Sequence, residues 1–360
     1  MSRSSRLVSV VIPVLNEELD IGGCLAALAS QTFPPERMEI LLVDGGSTDA
    51  TVEVARAAAE RHGLTLRALP NPLQLQSAGL NVGLASAAGE VVVRVDARSI
   101  VGSNHVERCV EVLSERPDVG AVGGAQIARE RSSRLVDRAI ARALNNRYAM
   151  GFARYRRRAE SGATDTVWMG AFRAVDLRKV GGWDDTVAKN EDFELNERLR
   201  RHGFVVWFDT GMTAHYLPRN SVGAIAHQYF NYGSIKGAMW AGKWRPNARQ
   251  VALLAMPVLA VGATAAGMYF VGWLPVVCAA TLGAGLLDAI GNWGAPASPL
   301  TRGAAIAINV VIGGSWWLGV VRGWSSRSRP RSRPAPSAAT TAATVPRSSR
   351  SGAELTQSHR

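Results

Sequence analysis

VSVVIPVLNEE at residues 8–18 and EILLVDGGSTDAT at residues 39–51 decide the fold. Each is an apolar, largely β-branched run that ends in a polar, acidic loop. Parallel α/β sheets carry their binding loops in that place, at the carboxyl ends of the strands. The first loop offers Asn16, Glu17 and Glu18; the second offers Asp44, Gly45, Gly46, Ser47 and Asp49. An aspartate that closes a buried strand and is followed by two glycines can accept hydrogen bonds from a base or ribose while the backbone comes close.

Downstream, strand and helix patterns alternate. Helices are expected at Asp20–Gln31, Ser47–His62 (capped by Ser47 or Thr48), residues 71–88 in part, Val106–Arg116 and Glu191–Arg201. Strands are expected at Ile40–Val43, Leu64–Leu69, Glu90–Val95, Val119–Gly123 and Phe204–Phe208. The alternation predicts an α/β domain over residues 1–245 with a mostly parallel central sheet flanked by helices. From Arg129 to Arg158 the chain is strongly basic. Val136, Ile140, Leu144 and Tyr148 recur every four residues beside Arg134, Arg138 and Arg142. That stretch reads equally as an amphipathic helix at a membrane or diphosphate and as a solvated surface helix.

Residues 250–321 are almost uncharged, and three segments approach a membrane span: Val251–Phe270, Trp273–Ile290 and Ala304–Val321. Asp288 inside the second must face protein, water or the boundary. Arg245 and Arg249 before the first segment and the basic tail after the last both favour the cytoplasmic side. Three full spans cannot satisfy both, so two or three helices remain open. Residues 322–360, rich in Ser, Arg, Pro and Thr, read as a disordered tail.

The net charge of +12 points to an acidic partner: membrane lipid, a phosphate-bearing substrate or nucleic acid. No zinc spacing, nucleic-acid motif or aromatic–basic interleaving supports nucleic acid. The three cysteines, far apart in sequence, argue against a disulfide framework. Pro13 and Glu17 interrupt the apolar run near the N-terminus, so it reads as a strand and not as a signal peptide.

Three acidic stations carry the chemistry. Asp44 ends the second strand, Asp96 ends the fourth in VRVDARS, and Glu191 and Asp192 open a helix in NEDFELNERLR. In a parallel sheet Asp44 and Asp96 share a crevice. Transfer from a nucleoside-diphosphate donor needs a base-binding carboxylate, a metal-binding carboxylate and a general base. A dinucleotide-dependent oxidoreductase is excluded because G-x-G-x-x-G is missing after the first strand, where acids stand instead.

VSVVIPVLNEE, LLVDGGSTDAT, SAGLNVGLASAAGEVVVRVDA, GAFRAVDLRKVGGWDD and NEDFELNERLR, in that order, resemble the inverting family 2 glycosyltransferases. VRVDARS and YLPRNSVGAIAHQYFNYGSIK, followed by apolar segments, are similar to bacterial succinoglycan-type exopolysaccharide glucosyltransferases. The resemblance implies the nucleotide-diphospho-sugar transferase (GT-A) fold and a membrane-bound enzyme with its catalytic domain on the cytoplasmic side. It implies transfer of a hexose, glucose from UDP, to a lipid-linked or growing polysaccharide.

By position, Pro13, Asn16 and Glu17 meet the nucleotide, Asp44 the base, and Asn81 the loop before the metal strand. Asp96 is the first aspartate of the D-x-D metal motif, and Asp192 is the catalytic base. Arg98 stands where the second aspartate belongs, and an arginine offers a cation no lone pair. Either Asp96 holds Mg²⁺ or Mn²⁺ with phosphates, water and His215, or Arg98 itself neutralises the diphosphate. A satisfied surface or core histidine is the favoured reading of His215, ahead of a metal ligand. Trp183 reads as a packing residue or a sugar platform. Glu191, Gln228 and Tyr232 are acceptor-side candidates, against helix-start stabilisation for the first and interfacial packing for the other two. A membrane-tethered, non-catalytic nucleotide-sugar binder is the competing function, because Arg98 breaks the metal motif.

Overall fold

A computed structural model describes residues 7–147, 155, 160–186, 190–242, 246 and 248–326. Among them, nine strands form one sheet: β1 (Val8–Val14), β2 (Met38–Asp44), β3 (Thr65–Pro70), β4 (Val91–Arg94), β5 (Ser99–Val101), β6 (Val119–Ala128), β7 (Gly162–Ala163), β8 (Ala171–Arg173) and β9 (Val205–Tyr216). The order is β3-β2-β1-β4-β8-β6-β9-β5, with β7 beside β9.

The strands β1 to β4 run parallel, as do β6 and β9. The sheet is nevertheless mixed, because β8, β5 and β7 run antiparallel to their neighbours. Strand alternation in the sequence does not reveal this. Close in sequence, β4 and β5 are not neighbours in the sheet: β8, β6 and β9 lie between them, and β5 pairs only with β9 among the described strands. The strands β6 and β9 also outrun their expected ends, and β6–β9 pairing shifts register near Gly123.

Side chains alternate between two apolar layers. Val8, Val10 and Ile12 of β1 face α1 (Ile21–Ala29), α2 (Thr51–His62) and α4 (His105–Glu115), while Val11 faces the opposite layer. That second layer is formed by α3 (Gln76–Ser86), α6 (Ala174–Lys179) and α7 (Glu191–Arg201). A sheet covered on both faces explains why its strands read as continuous apolar runs. The helix α2 starts at Thr51 and not at Ser47. Ser47 and Thr48 instead bond Asp44 and Asn16, which leaves the loop non-helical.

A third cluster joins α5 (Leu135–Asn145) to α8 (Val222–Ala241) and α11 (Pro299–Ser325) through Ile140, Leu144, Ile225, Tyr229 and Ile308. The apolar stripe of the basic segment is thus packed against protein; Tyr148 lies outside the described residues. The helices α8 and α11 cross on glycine. A Cβ at Gly233 or Gly237 would overlap the carbonyl oxygens of Trp316 and Val320, and one at Gly319 or Gly323 those of Phe230 and Ser234. Backbones that close require small residues, as in membrane helix pairs.

Between them lie α9 (Ala248–Phe270) and α10 (Trp273–Gly291). Among the described residues, α10 and α11 are long and apolar enough to cross a membrane. Asp288 near the end of α10 is 2% exposed and takes the Arg142 guanidinium at 2.7 Å. That pairing meets the requirement placed on a carboxylate in an apolar segment. Arg245 and residues 327–360 lie outside the described residues.

Candidate active site

The loops after β1, β2 and β3 are laced together before any ligand is considered. The Ser47 amide and hydroxyl donate to Asp44 Oδ1 at 3.0 and 2.6 Å. The Thr48 amide donates to Asn16 Oδ1, and the Asn16 amide donates to Ser47 Oγ. The Asn71 amide donates to the Asp44 carbonyl. Gly46 sits at φ +86°, where a side chain would strain the turn. Pro13 is tolerated inside β1 because pairing with β4 stops at Val11–Arg94, two residues earlier. Asp44 therefore stands half-buried at the carboxyl edge of β2, and Asn16 and Pro13 lie on the same edge.

The centre of the site is a residue that the motifs did not single out. Arg94, the last residue of β4, is 2% exposed. Its Nε donates to Asp96 Oδ1 at 2.9 Å, and its Nη1 lies 2.6 Å from Asp192 Oδ1 and 3.0 Å from Glu191 Oε1. One buried guanidinium thus ties the β4 loop to the first turn of α7, across 98 residues of chain. The signal was present in VVVRV, since a charge inside a buried strand has to be paired.

Burial pushes the Asp192 carboxyl up, to about 7. The Arg94 charge opposes the rise, and the neighbouring Glu191 and Asp96 charges add to it. A carboxylate in that range is matched to accepting a proton near neutral pH. The Trp168 indole donates to the other oxygen of Asp96, Oδ2, at 3.2 Å, while Gln76 Nε2 donates at 3.4 Å to Oδ1, which Arg94 also reaches. The Asp96 amide is directed at Met169 Sδ. The described non-glycine residues with positive φ are Asn16, Gln74, Met169 and Asn190. Asn16 and Gln74 lie in the loops after β1 and β3, Met169 abuts Asp96, and Asn190 precedes Glu191. Strained backbone gathered in this way marks a site whose geometry is over-determined.

Arg98 is already engaged. Its Nε donates to Glu17 Oε2 at 2.7 Å and lies 3.7 Å from Asp20, which in turn holds Arg131 through both oxygens. Burial raises the Glu17 proton affinity and Arg98 lowers it. Glu17 thus faces Arg98. Among the described residues, no group of three or more His, Cys, Asp or Glu could hold a metal. Asp96 remains a single carboxylate at a strand end. It suits a divalent ion that takes its other ligands from phosphate and water.

Other candidates fall elsewhere. Trp183 is 2% exposed, edge-on to Phe172 at 5.6 Å, so its ring fills the core and presents no face to a sugar. Asn81 is spent on the same turn: its Nδ2 donates to the Trp183 carbonyl at 2.7 Å, and its Oδ1 accepts from the Trp183 amide at 2.9 Å. Its Nδ2 also lies 2.7 Å from Asp185 Oδ1, so the amide ties down the 181–185 turn. His215, on β9 beside Ile100 and Ile127, lines a cavity whose walls do not include Asp96, so the two are not brought together there as ligands. Gln228 donates to the Tyr232 hydroxyl at 2.8 Å on α8.

Residues 9–181 match the description Glycosyl transferase family 2. The succinoglycan biosynthesis protein ExoA of Rhizobium meliloti is 30% identical over 317 residues, covering 86% of this chain and 93% of that protein. The dolichyl N-acetyl-alpha-D-glucosaminyl phosphate 3-beta-D-2,3-diacetamido-2,3-dideoxy-beta-D-glucuronosyltransferase of Methanococcus voltae is 27% identical over 240 residues, covering 64% of this chain and 73% of that protein. Among solved structures, the mannosyltransferase PcManGT of Pyrobaculum calidifontis, in complex with GDP-Man and Mn2+, superposes with a TM-score of 0.59 at 21% identity, covering 89% of this chain and 88% of that one. With this sheet, these loops and a relative matched over nearly its whole length, the chain belongs to glycosyl transferase family 2 and is a glycosyltransferase of the GT-A fold.

Proposed function

We propose that the protein moves a hexose from a nucleoside-diphosphate sugar to a hydroxyl of a lipid-linked or growing cell-surface polysaccharide, inverting the anomeric carbon. Glucose carried on UDP is the specific form of the reading. The observation that carries it is Arg94, one buried guanidinium held between Asp96 on the donor side and Asp192 on the acceptor side. Asp192 takes the proton from the attacking hydroxyl as the oxygen reaches the anomeric carbon and the bond to the diphosphate breaks. Glu191 shares the Arg94 charge and keeps Asp192 in place. Asp44, Asn16 and Pro13 hold the nucleotide at the carboxyl edge, and Arg98, held by Glu17, is the cation offered to the diphosphate. Mg²⁺ or Mn²⁺, held by Asp96 and the donor phosphates, would neutralise charge on the departing diphosphate.

The acceptor class is supported by two relatives, one named for succinoglycan biosynthesis and one for a dolichyl phosphate sugar. Two apolar helices support a multi-pass membrane protein with residues 1–245 as the catalytic region on the cytoplasmic face, residues 250–321 in the bilayer and residues 322–360 as a tail. Gln228 and Tyr232 on α8 are acceptor-side candidates within this arrangement.

The test is release of nucleoside diphosphate by the full chain in detergent, across a panel of donors, with and without EDTA. UDP-glucose is expected to lead, and Asp192→Asn is expected to lower kcat by about 10²–10⁴-fold with donor affinity kept. Full turnover by Asp192→Asn would remove the general base from the reading. Turnover undiminished by EDTA would remove the metal and leave Arg98 as the diphosphate partner.

A further inference from the structure

A polar cavity of about 740 Å³ lies where α5 meets the turn between α10 and α11. Arg129, Arg138, Arg142 and Arg147 line it, together with Ser298 and Thr301 at the start of α11. Among the described residues the walls contain one acid, Glu130, and none of Asp44, Asp96, Glu191 or Asp192. Arg142 is held through Asp288 and donates to the Ala295 carbonyl at 2.9 Å, so one wall is fixed. Arg129, Arg138 and Arg147 have no carboxylate within ion-pair distance among the described residues. Cations gathered round one cavity repel each other, and an anion in the cavity relieves that repulsion. Planar guanidinium groups suit phosphate in particular.

The position names the carrier of the phosphate. Leu286, Leu287 and Ile290 are exposed on the last turns of α10, and Trp293, 78% exposed, follows directly. An apolar helix that ends in an exposed tryptophan meets the headgroup layer there. The volume falls in the range of small-molecule sites, about 300–1,000 Å³. We infer that this cavity binds the phosphate or diphosphate headgroup of a membrane lipid, apart from the reaction centre. It rests on the membrane placement proposed above and is independent of the donor's identity.

The test is calorimetric binding to the full chain in neutral detergent, with four probes: farnesyl diphosphate, farnesol, dioctanoyl phosphatidylglycerol and dioctanoyl phosphatidylcholine. The anionic probes are expected to bind more tightly than the neutral ones. Arg138→Gln with Arg147→Gln is expected to weaken the anionic probes about thirtyfold, at about 1 kcal/mol per arginine. Arg56→Gln with Arg61→Gln, the same charge change on exposed α2, is expected to leave binding as in the wild type. Preference for farnesyl diphosphate assigns the site to a prenyl-linked acceptor, and equal or better binding of phosphatidylglycerol assigns it to bulk phospholipid; both support the site. Equal binding of anionic and neutral probes, or wild-type binding by the Arg138/Arg147 double variant, overturns it. Nucleoside-diphosphate release measured on the same preparations reads transfer separately, so either reading can fail alone.

Discussion

Replacing Arg94 by glutamine removes the charge that three carboxylates share at 2.6, 2.9 and 3.0 Å. Unit charges about 4 Å apart interact by about 4 kcal/mol at the effective dielectric that suits protein sites. That corresponds to about three pKa units. Asp96 and Asp192 keep 24% and 15% of their side chains exposed, so water takes part of the load. A rise of about one to three units is therefore expected for Asp192. The acid limb of kcat/KM, which reports the free enzyme, should move from about 7 in the wild type to between about 8 and 10. With a limb near 9, only about 1% of the base is ionised at pH 7, against about half in the wild type, a loss of about fiftyfold. The assay is nucleoside-diphosphate release between pH 5.5 and 10 by wild type, Arg94→Gln and Arg94→Lys in detergent. Lysine keeps the charge, so its limb should stay nearest the wild type even where its rate is low. The reasoning is refuted if the glutamine variant loses rate at all pH values with its limb still near 7, because Arg94 would then set geometry and not proton affinity.

Asp192→Asn tests the same group through stability. A folded-state carboxyl raised to about 7 from an ordinary 3.8 binds protons that the unfolded chain has lost, so its contribution is greatest below about pH 4 and is lost as pH rises towards 7. The melting temperature of the asparagine variant should therefore gain on the wild type between pH 4 and 8 and stay parallel above that; a constant offset across this range would contradict the raised value. Arg98→Ala should raise the donor KM several-fold and leave the acid limb in place, since Arg98 faces Glu17 and not Asp192; an unchanged donor KM would take Arg98 out of diphosphate binding. Gly319→Ala should lower thermal stability in detergent by about 1–3 kcal/mol through overpacking against the Phe230 carbonyl, while Gly262→Ala, which meets nothing, should not. Equal melting of the two variants would mean that the α8–α11 crossing is looser than described.

Local chemistry was legible in the sequence because its causes are local. The runs at 8–14 and 40–43 had to be buried strands, Asp44 and Asp96 had to stand at their ends, and Glu191–Arg201 had to be a helix. Five stretches in order were enough for the family. Strand direction, by contrast, depends on which neighbour a short strand meets, and β5, β7 and β8 are two or three residues long with no period to read.

Partners are less legible still. Trp183 looked as much like a sugar platform as a core residue, and only its contact with Phe172 decides between them. Asn81 carries the right motif, yet its amide closes on a turn 102 residues away. Arg142 belonged to a basic stripe until Asp288, 146 residues on, claimed it. Sequence by itself determined the sheet-forming runs, the carboxylates at their ends and the family. Tertiary structure alone decided that Arg94 joins Asp96 to Glu191 and Asp192, and that Arg129, Arg138 and Arg147, with no carboxylate partner among the described residues, line one cavity. The physical reason is range: backbone preference and side-chain period act within a few residues, whereas a buried charge is satisfied by whichever group the folded topology brings within about 3 Å.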